Sequence, residues 1–79
     1  MKRYSLEFES DKINYCAGRE DFRHSHIYGY ASTIKRAKGY IKEVKAFYAD
    51  QHPRNFRVYD HYGDVDPETN FVYCVYRED

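Results

Sequence analysis

The sequence predicts an α+β fold in which one central helix packs on one face of an antiparallel sheet of four or five strands. A single segment, residues 32–51, sustains a helical period, and the segments on either side of it alternate like strands. The 79 residues are enough for one domain, residues 1–79, with a thin core, because so short a chain buries only about 60% of its unfolded surface. The predicted order is β-β(-β)-α-β-β, and one helix leaves the other sheet face uncovered.

Alternation of apolar and polar residues marks the strands on both sides of the helix. In the first strand Tyr4, Leu6 and Phe8 face one way, and the next segment is expected to complete a hairpin with it. Gly29, in the strand that leads into the helix, indicates a bulge or a close approach. An acidic, turn-forming loop joins the last two strands. The predicted strands span residues 3–10, 13–17, 27–31, 55–62 and 71–77.

The helix has an apolar stripe at steps of three and four residues. We expect Ser32 to be its N-cap and Pro53 to limit its C-terminal end. Gly39 lies on the face away from that stripe, where it costs about 1 kcal/mol relative to alanine. It either lets a partner approach closely or has no consequence. The expected core between helix and sheet consists of Leu6, Phe8, Ile34, Ile41, Val44 and Val58.

Basic residues gather on the polar side of this helix although the chain has zero net charge. The zero balance argues against a generic nucleic-acid coat, which would be strongly basic. Four lysines lie within about 80° of one another on a helical projection. They form either a solvated face or an anion-binding stripe for phosphates or an acidic protein surface. The lysines of this stripe are Lys35, Lys38, Lys42 and Lys45.

The ten tyrosines suggest a second candidate surface, on the sheet face that the helix leaves uncovered. Tyrosine suits half-buried sheet faces and interfaces because its ring is apolar and its hydroxyl is polar. We expect Tyr59 and Tyr73 to keep exposed ring edges there, with Arg57 beside Tyr59. Such a face is typical of proteins that stack single-stranded bases on aromatic rings. The sequence lacks the aromatic motif of the common RNA-binding sheet, and its element order differs.

No pattern in the sequence predicts catalysis, a metal or another cofactor. His24 and His26 would share one side of a strand, but no further residues have zinc-ligand spacing. The acidic loop lacks the glycine and final glutamate of a calcium loop. Cys16 and Cys74 are expected as free thiols in a reducing cytoplasm, although a disulfide between two distant strands stays open. No apolar run is long enough for a membrane span, and no signal-peptide pattern begins the chain.

One resemblance to known proteins involves the junction between strand and helix, residues 29–38, with the sequence GYASTIKRAK. This junction resembles the helix start of small phage and prophage proteins with a hairpin–helix–hairpin plan, which often reads A-S-S/T-L/I-K/R-x-A-K. Some proteins of this size and plan are anti-CRISPR inhibitors. The resemblance implies a non-enzymatic binder that occludes a nucleic-acid site or a partner surface on a host complex. It assigns no role to individual residues.

The sequence therefore predicts a small cytoplasmic binding protein, related to phage, whose partner is a host or phage protein complex. The alternative is a small nucleic-acid-binding regulator, which would use both the lysine stripe and the tyrosine-bearing sheet face. Three surfaces stay open as the contact: the stripe, the open sheet face and the acidic loop around Asp64, Asp66 and Glu68. The oligomeric state stays open as well. The candidate binding residues are Lys35, Lys38, Lys42, Lys45, Arg57, Tyr59 and Tyr73.

Overall fold

The computed structural model describes residues 2–18, 20–65 and 72–79, without the side chains of residues 21, 64 and 65. The described residues confirm the predicted α+β fold, with four antiparallel strands and one α-helix among them. In space the strands lie in the order β2-β1-β3-β4, so β2 and β4 are the edges of this sheet. Most of the acidic loop lies outside the described residues. The elements are β1 (Tyr4–Glu9), β2 (Ser25–Ala31), α1 (Ile34–Phe47), β3 (Arg54–Val65) and β4 (Val72–Glu78).

The prediction of a strand at residues 13–17 is wrong, because hydrogen bonds of the Asn14 side chain hold this segment in turns. Its side-chain amide donates to the carbonyl oxygen of Ser25 at 3.0 Å, and its side-chain oxygen accepts from the Cys16 N–H at 3.1 Å. Such local bonds compete with a strand ladder for the backbone. The hairpin partner of β1 is therefore β2, and residues 10–24 form the connection.

The helix begins one residue later than predicted, and its N-cap is Thr33 instead of Ser32. Thr33 has an extended backbone, and its Oγ1 accepts from the Arg36 N–H at 3.1 Å, which satisfies one of the free amides of the first turn. The α-helix ends at Phe47, and a short 3-10 turn continues to Gln51. His52 then takes a left-handed conformation with φ 52°, which ends the turn just before Pro53.

A small apolar core forms where α1 packs on β1, β2 and β3. On the helix Ala37, Ile41 and Val44 are buried, and they meet buried side chains from β1 and β3. Five of the six expected core residues are confirmed, and the prediction for Ile34 is wrong, since 38% of that residue is exposed. Ile34 lies about two turns before Ile41, so the apolar stripe extends beyond the end of the core. The buried strand residues are Leu6, Phe8, Ala31, Phe56 and Val58.

A bulge in β2 confirms the irregularity predicted at Gly29. Leu6 pairs with Gly29 while Glu7 pairs with Ile27, so Tyr28 is the extra residue of the bulge. The Tyr28 ring packs edge-on against Tyr40 under the helix, with 5.3 Å between the ring centres. The bulge thus gives the edge strand an aromatic contact with the helix.

A two-pronged ion pair joins the residue before β1 to β3. Arg3 donates from Nε and Nη2 to the two carboxylate oxygens of Asp60, both at 2.7 Å. Asp60 is buried, and it also accepts from the Tyr62 N–H at 3.0 Å. The hydrogen bonds from Arg3 are the main reason that the pKa of the Asp60 carboxyl falls from 3.8 to about 2. Asp60 therefore stabilises the folded chain in its ionised form.

The substitution Ile41→Ala tests the core. Ile41 is only 4% exposed, so we expect the change to lower the free energy of unfolding by about 2–5 kcal/mol through lost burial and a cavity. Urea unfolding followed by circular dichroism measures it. Ile34→Ala is the control on the same helix and is expected to cost less. Equal losses in the two variants would contradict the placement of Ile41 inside the core and of Ile34 at its margin.

The substitution Asp60→Asn tests the ion pair through its pH dependence. Because the folded pKa lies below the usual value, the stabilisation is present above pH 3.8 and is lost as the pH falls through about 2. We expect the variant to unfold at lower urea than the wild type at pH 7, and the gap to shrink toward pH 2. A gap of constant size across this range would show that the carboxylate charge plays no part.

Candidate binding surface

The structure brings the four lysines of the stripe together along the outward and β4-facing sides of α1, and all four are exposed. The Lys45 side chain contacts β4, where its Nζ lies 2.9 Å from Glu78 Oε2. The Nζ of Lys38 lies 4.3 Å from the centre of the Tyr76 ring, which attracts the cation through its π face. The stripe is thus one surface with β4 along one side.

Charge compensation along this surface is uneven. Glu78 neutralises Lys45, and hydrogen bonds from Lys45 and Tyr76 hold the pKa of the Glu78 carboxyl below its usual value. None of Lys35, Lys38 and Lys42 forms an ion pair with an acidic residue that the structure describes. The uncompensated positive charge is therefore concentrated in the first two and a half turns of the helix.

Some of the other charges of the described chain are paired. Arg3 is paired with Asp60, as described above. Asp11 accepts from Arg54 at 2.9 Å and bonds His52 at 2.5 Å, which lowers the pKa of its carboxyl, and the bond to His52 is the larger cause. These pairs join the connection after β1 to the start of β3. Lys2, Lys12, Arg36 and Arg77 form no ion pair with a described acidic residue either, so what distinguishes the three helix lysines is that they line one cleft together.

Two shallow clefts meet at Gly39, in the middle of the basic surface. One runs between α1 and β4, and the other lies over the first turns of the helix. A Cβ added at Gly39 would have no atom within 4 Å, so neighbouring side chains do not require glycine there. The α1–β4 cleft is lined by Lys35, Lys38, Gly39, Ile41, Lys42, Lys45, Tyr76 and Glu78.

The open face of the sheet places Arg57 and Tyr59 together. Arg57 Nη1 lies 3.4 Å from the Tyr59 hydroxyl, and Arg57 Nη2 donates to Ser25 Oγ at 3.0 Å. Both residues are half-buried. Glu7 lies directly opposite Arg57 in the register of β1 and β3, and burial raises the pKa of the Glu7 carboxyl. The half-buried acid beside Arg57 makes this part of the face mixed in charge.

The rest of the described open face is covered largely by its own polar side chains. His61 Nε2 shares a hydrogen bond of 2.7 Å with Ser5 Oγ, and Ser5 is fully buried. The ring of Tyr30 packs on His61 with 5.9 Å between the centres. Ile27 on the neighbouring edge strand is the main apolar exposure of this face, at 54%. These contacts stabilise the uncovered face without a second layer.

The register of β4 does not bring Tyr73 beside Tyr59. Cys74 is the residue opposite Tyr59, and Tyr73 lies opposite Asp60, one residue further along. Because neighbouring strand residues point to opposite faces, Tyr73 lies on the face that carries Phe56 and Val58. Its ring is 41% exposed there. The two tyrosines therefore do not form one platform.

Two residues of the basic surface, Tyr76 and Glu78, were not predicted from the sequence. Both lie in β4, and they line the cleft because Val58 pairs with Tyr76 and Phe56 pairs with Glu78. The only sequence signal is that an acidic residue, Glu78, directly follows the last predicted strand. That signal does not identify the neighbour of a particular lysine.

The described residues carry no further feature that assigns a chemistry. Cys16 is exposed and Cys74 half-buried, and both are free thiols. Within this part of the chain no three His, Cys, Asp or Glu side chains are grouped so as to hold a metal ion. No helix among the same residues has the length and apolar character needed to cross a membrane. Compared with known proteins, the chain matches no family model, no curated protein and no solved structure.

The substitution Glu78→Gln tests the uneven charge of the basic surface. Removing the carboxylate leaves Lys45 unpaired, so the surplus of local charge extends by one lysine, while a surface pair contributes at most about 1 kcal/mol to stability. We expect the variant to elute from a cation-exchange column at higher salt than Asp79→Asn. The control makes the same change in net charge outside the basic surface, and co-elution of the two variants would contradict the local effect.

Proposed function

We propose that this chain is a small non-enzymatic binding protein that occupies a surface of a larger protein complex through the basic face of α1. The observation that carries the proposal is the exposure of Lys35, Lys38 and Lys42 without an acidic partner among the described residues. Like charges three and four residues apart destabilise a helix slightly. A contact with an anionic partner surface would offset that cost.

The kind of complex follows from the resemblance at residues 29–38. Small phage and prophage proteins with this plan include inhibitors that block a host complex, such as a CRISPR effector, by occlusion. Occlusion needs a rigid surface of complementary charge and no reactive group. The helix supplies such a surface because its opposite side is fixed in the core through Ala37, Ile41 and Val44.

A nucleic-acid-binding regulator is the second candidate, and the Arg57–Tyr59 pair on the open sheet face favours it. An arginine beside an aromatic ring can hold a phosphate next to a stacked base. Glu7 and Glu9 lie on the strand beside this pair and would repel phosphates. A mobility-shift assay with single-stranded and duplex DNA at two salt concentrations distinguishes the candidates, since direct phosphate contacts give a steep loss of affinity with salt.

The double substitution Lys38→Glu/Lys42→Glu tests the proposed function. Exposed charges contribute little to stability, so we expect nearly unchanged thermal melting, with association to the target complex slower and weaker at low salt. The readouts are a thermal melt and an inhibition assay against a CRISPR effector in a cell-free cleavage reaction, at low and high salt. The matched control, Lys2→Glu/Lys12→Glu, makes the same charge change away from the helix.

Retained inhibition in the helix variant, or an equal loss in the control, would contradict the assignment of the contact to α1. Absence of inhibition by the wild type would reject this class of target complex.

A further inference from the structure

Gly39 makes α1 less stable than alanine would, and no contact within the described chain requires a glycine at this position. It lies in the interior of α1, where glycine is less favourable than alanine because it loses more backbone freedom on folding. A Cβ at this position would meet open space, so close packing inside the chain does not explain it. Glycine is suited to positions where another backbone approaches closely. Within the described chain no group makes that approach to Gly39.

The surroundings of Gly39 define the chemistry of that group. Residues three and four positions away are neighbours on a helix surface, and here they are Lys35, Arg36, Lys42 and Glu43. Three of these four are basic. Arg36 lies over the Tyr40 ring, with 5.6 Å from its Cζ to the ring centre, which keeps its guanidinium beside the cleft. Gly39 is thus surrounded mainly by basic side chains.

We infer that Gly39 is the point where the main chain of an acidic protein segment comes closest to α1, with its carboxylates on the surrounding basic side chains. This inference rests on the proposed function and names the chemistry of the partner. The missing side chain lets the partner's backbone come close enough for Lys35, Arg36 and Lys42 to reach carboxylates on both sides of it.

Two observations favour a protein segment over a nucleic-acid backbone. Glu43 lies within the basic surface and accepts from the Tyr28 hydroxyl at 3.2 Å, so the unbroken row of phosphates of a nucleic acid would meet a fixed negative charge, whereas a peptide can carry its carboxylates on either side of it. Phe47, one turn beyond Glu43, is 69% exposed, and an exposed aromatic ring beside charged groups is typical of protein interfaces.

Binding of a labelled poly-L-glutamate chain, followed by fluorescence anisotropy at low salt, tests the inference with the variant Gly39→Ala. We expect the variant to melt about 4–8 °C higher than the wild type, because alanine favours the helix. We also expect it to bind the probe about fivefold more weakly or worse, and Gly39→Leu to bind more weakly still. A loss of affinity in a more stable protein cannot come from unfolding.

The controls separate this inference from the proposed function. Lys12→Gln is expected to bind poly-L-glutamate like the wild type, and Lys42→Gln more weakly. Unchanged binding by Gly39→Ala, with binding lost in Lys38→Glu/Lys42→Glu, would overturn the close approach and leave the basic contact surface intact. Tighter binding of oligo-dT of equal charge, weakened in the same way by Gly39→Ala, would overturn the assignment to a protein segment.

Discussion

The structure depends on the packing of one apolar face of α1 against β1, β2 and β3. Ala37, Ile41 and Val44 are buried on that face, and no other helix of the described chain contributes to the core beneath it. The rotation of the helix about its axis is therefore fixed by few side chains, and the same rotation decides what points outward. The basic surface and Gly39 are consequences of this packing. A change that reorients the helix would thus alter the core and the proposed contact together.

Much of the fold could be predicted from two periods in the sequence. The steps of three and four residues place Ile41 and Val44 in the core, and the alternation in β1 and β3 identifies the opposing layer. The errors arose where local side-chain chemistry decides the outcome. Asn14 bonds to nearby backbone groups and prevents a strand that composition alone favours. Thr33 and Ser32 are both acceptable caps, and only the geometry of the first turn distinguishes them.

The candidate surface was predictable only in the part that lies within a single element. Helical spacing alone placed the four lysines on one side of α1. The pairing of Lys45 with Glu78 depends on the register of β3 and β4, which shifts at a bulge where Val75 is the extra residue. The same shift separates Tyr73 from Tyr59. A one-residue slip reverses the face of every following side chain, and the sequence carries no strong signal for it.

Lysine acetylation measured by mass spectrometry, on the free protein and with saturating poly-L-glutamate, tests most directly whether the outward face of α1 is the contact surface. Because acetylation requires an accessible amine, bound carboxylates are expected to protect Lys35, Lys38 and Lys42. Lys2 and Lys12, which are exposed outside the helix, are expected to react at the same rate in both samples. Protection of Lys2 and Lys12 equal to that of the helix lysines, or no protection in α1, would contradict the assignment.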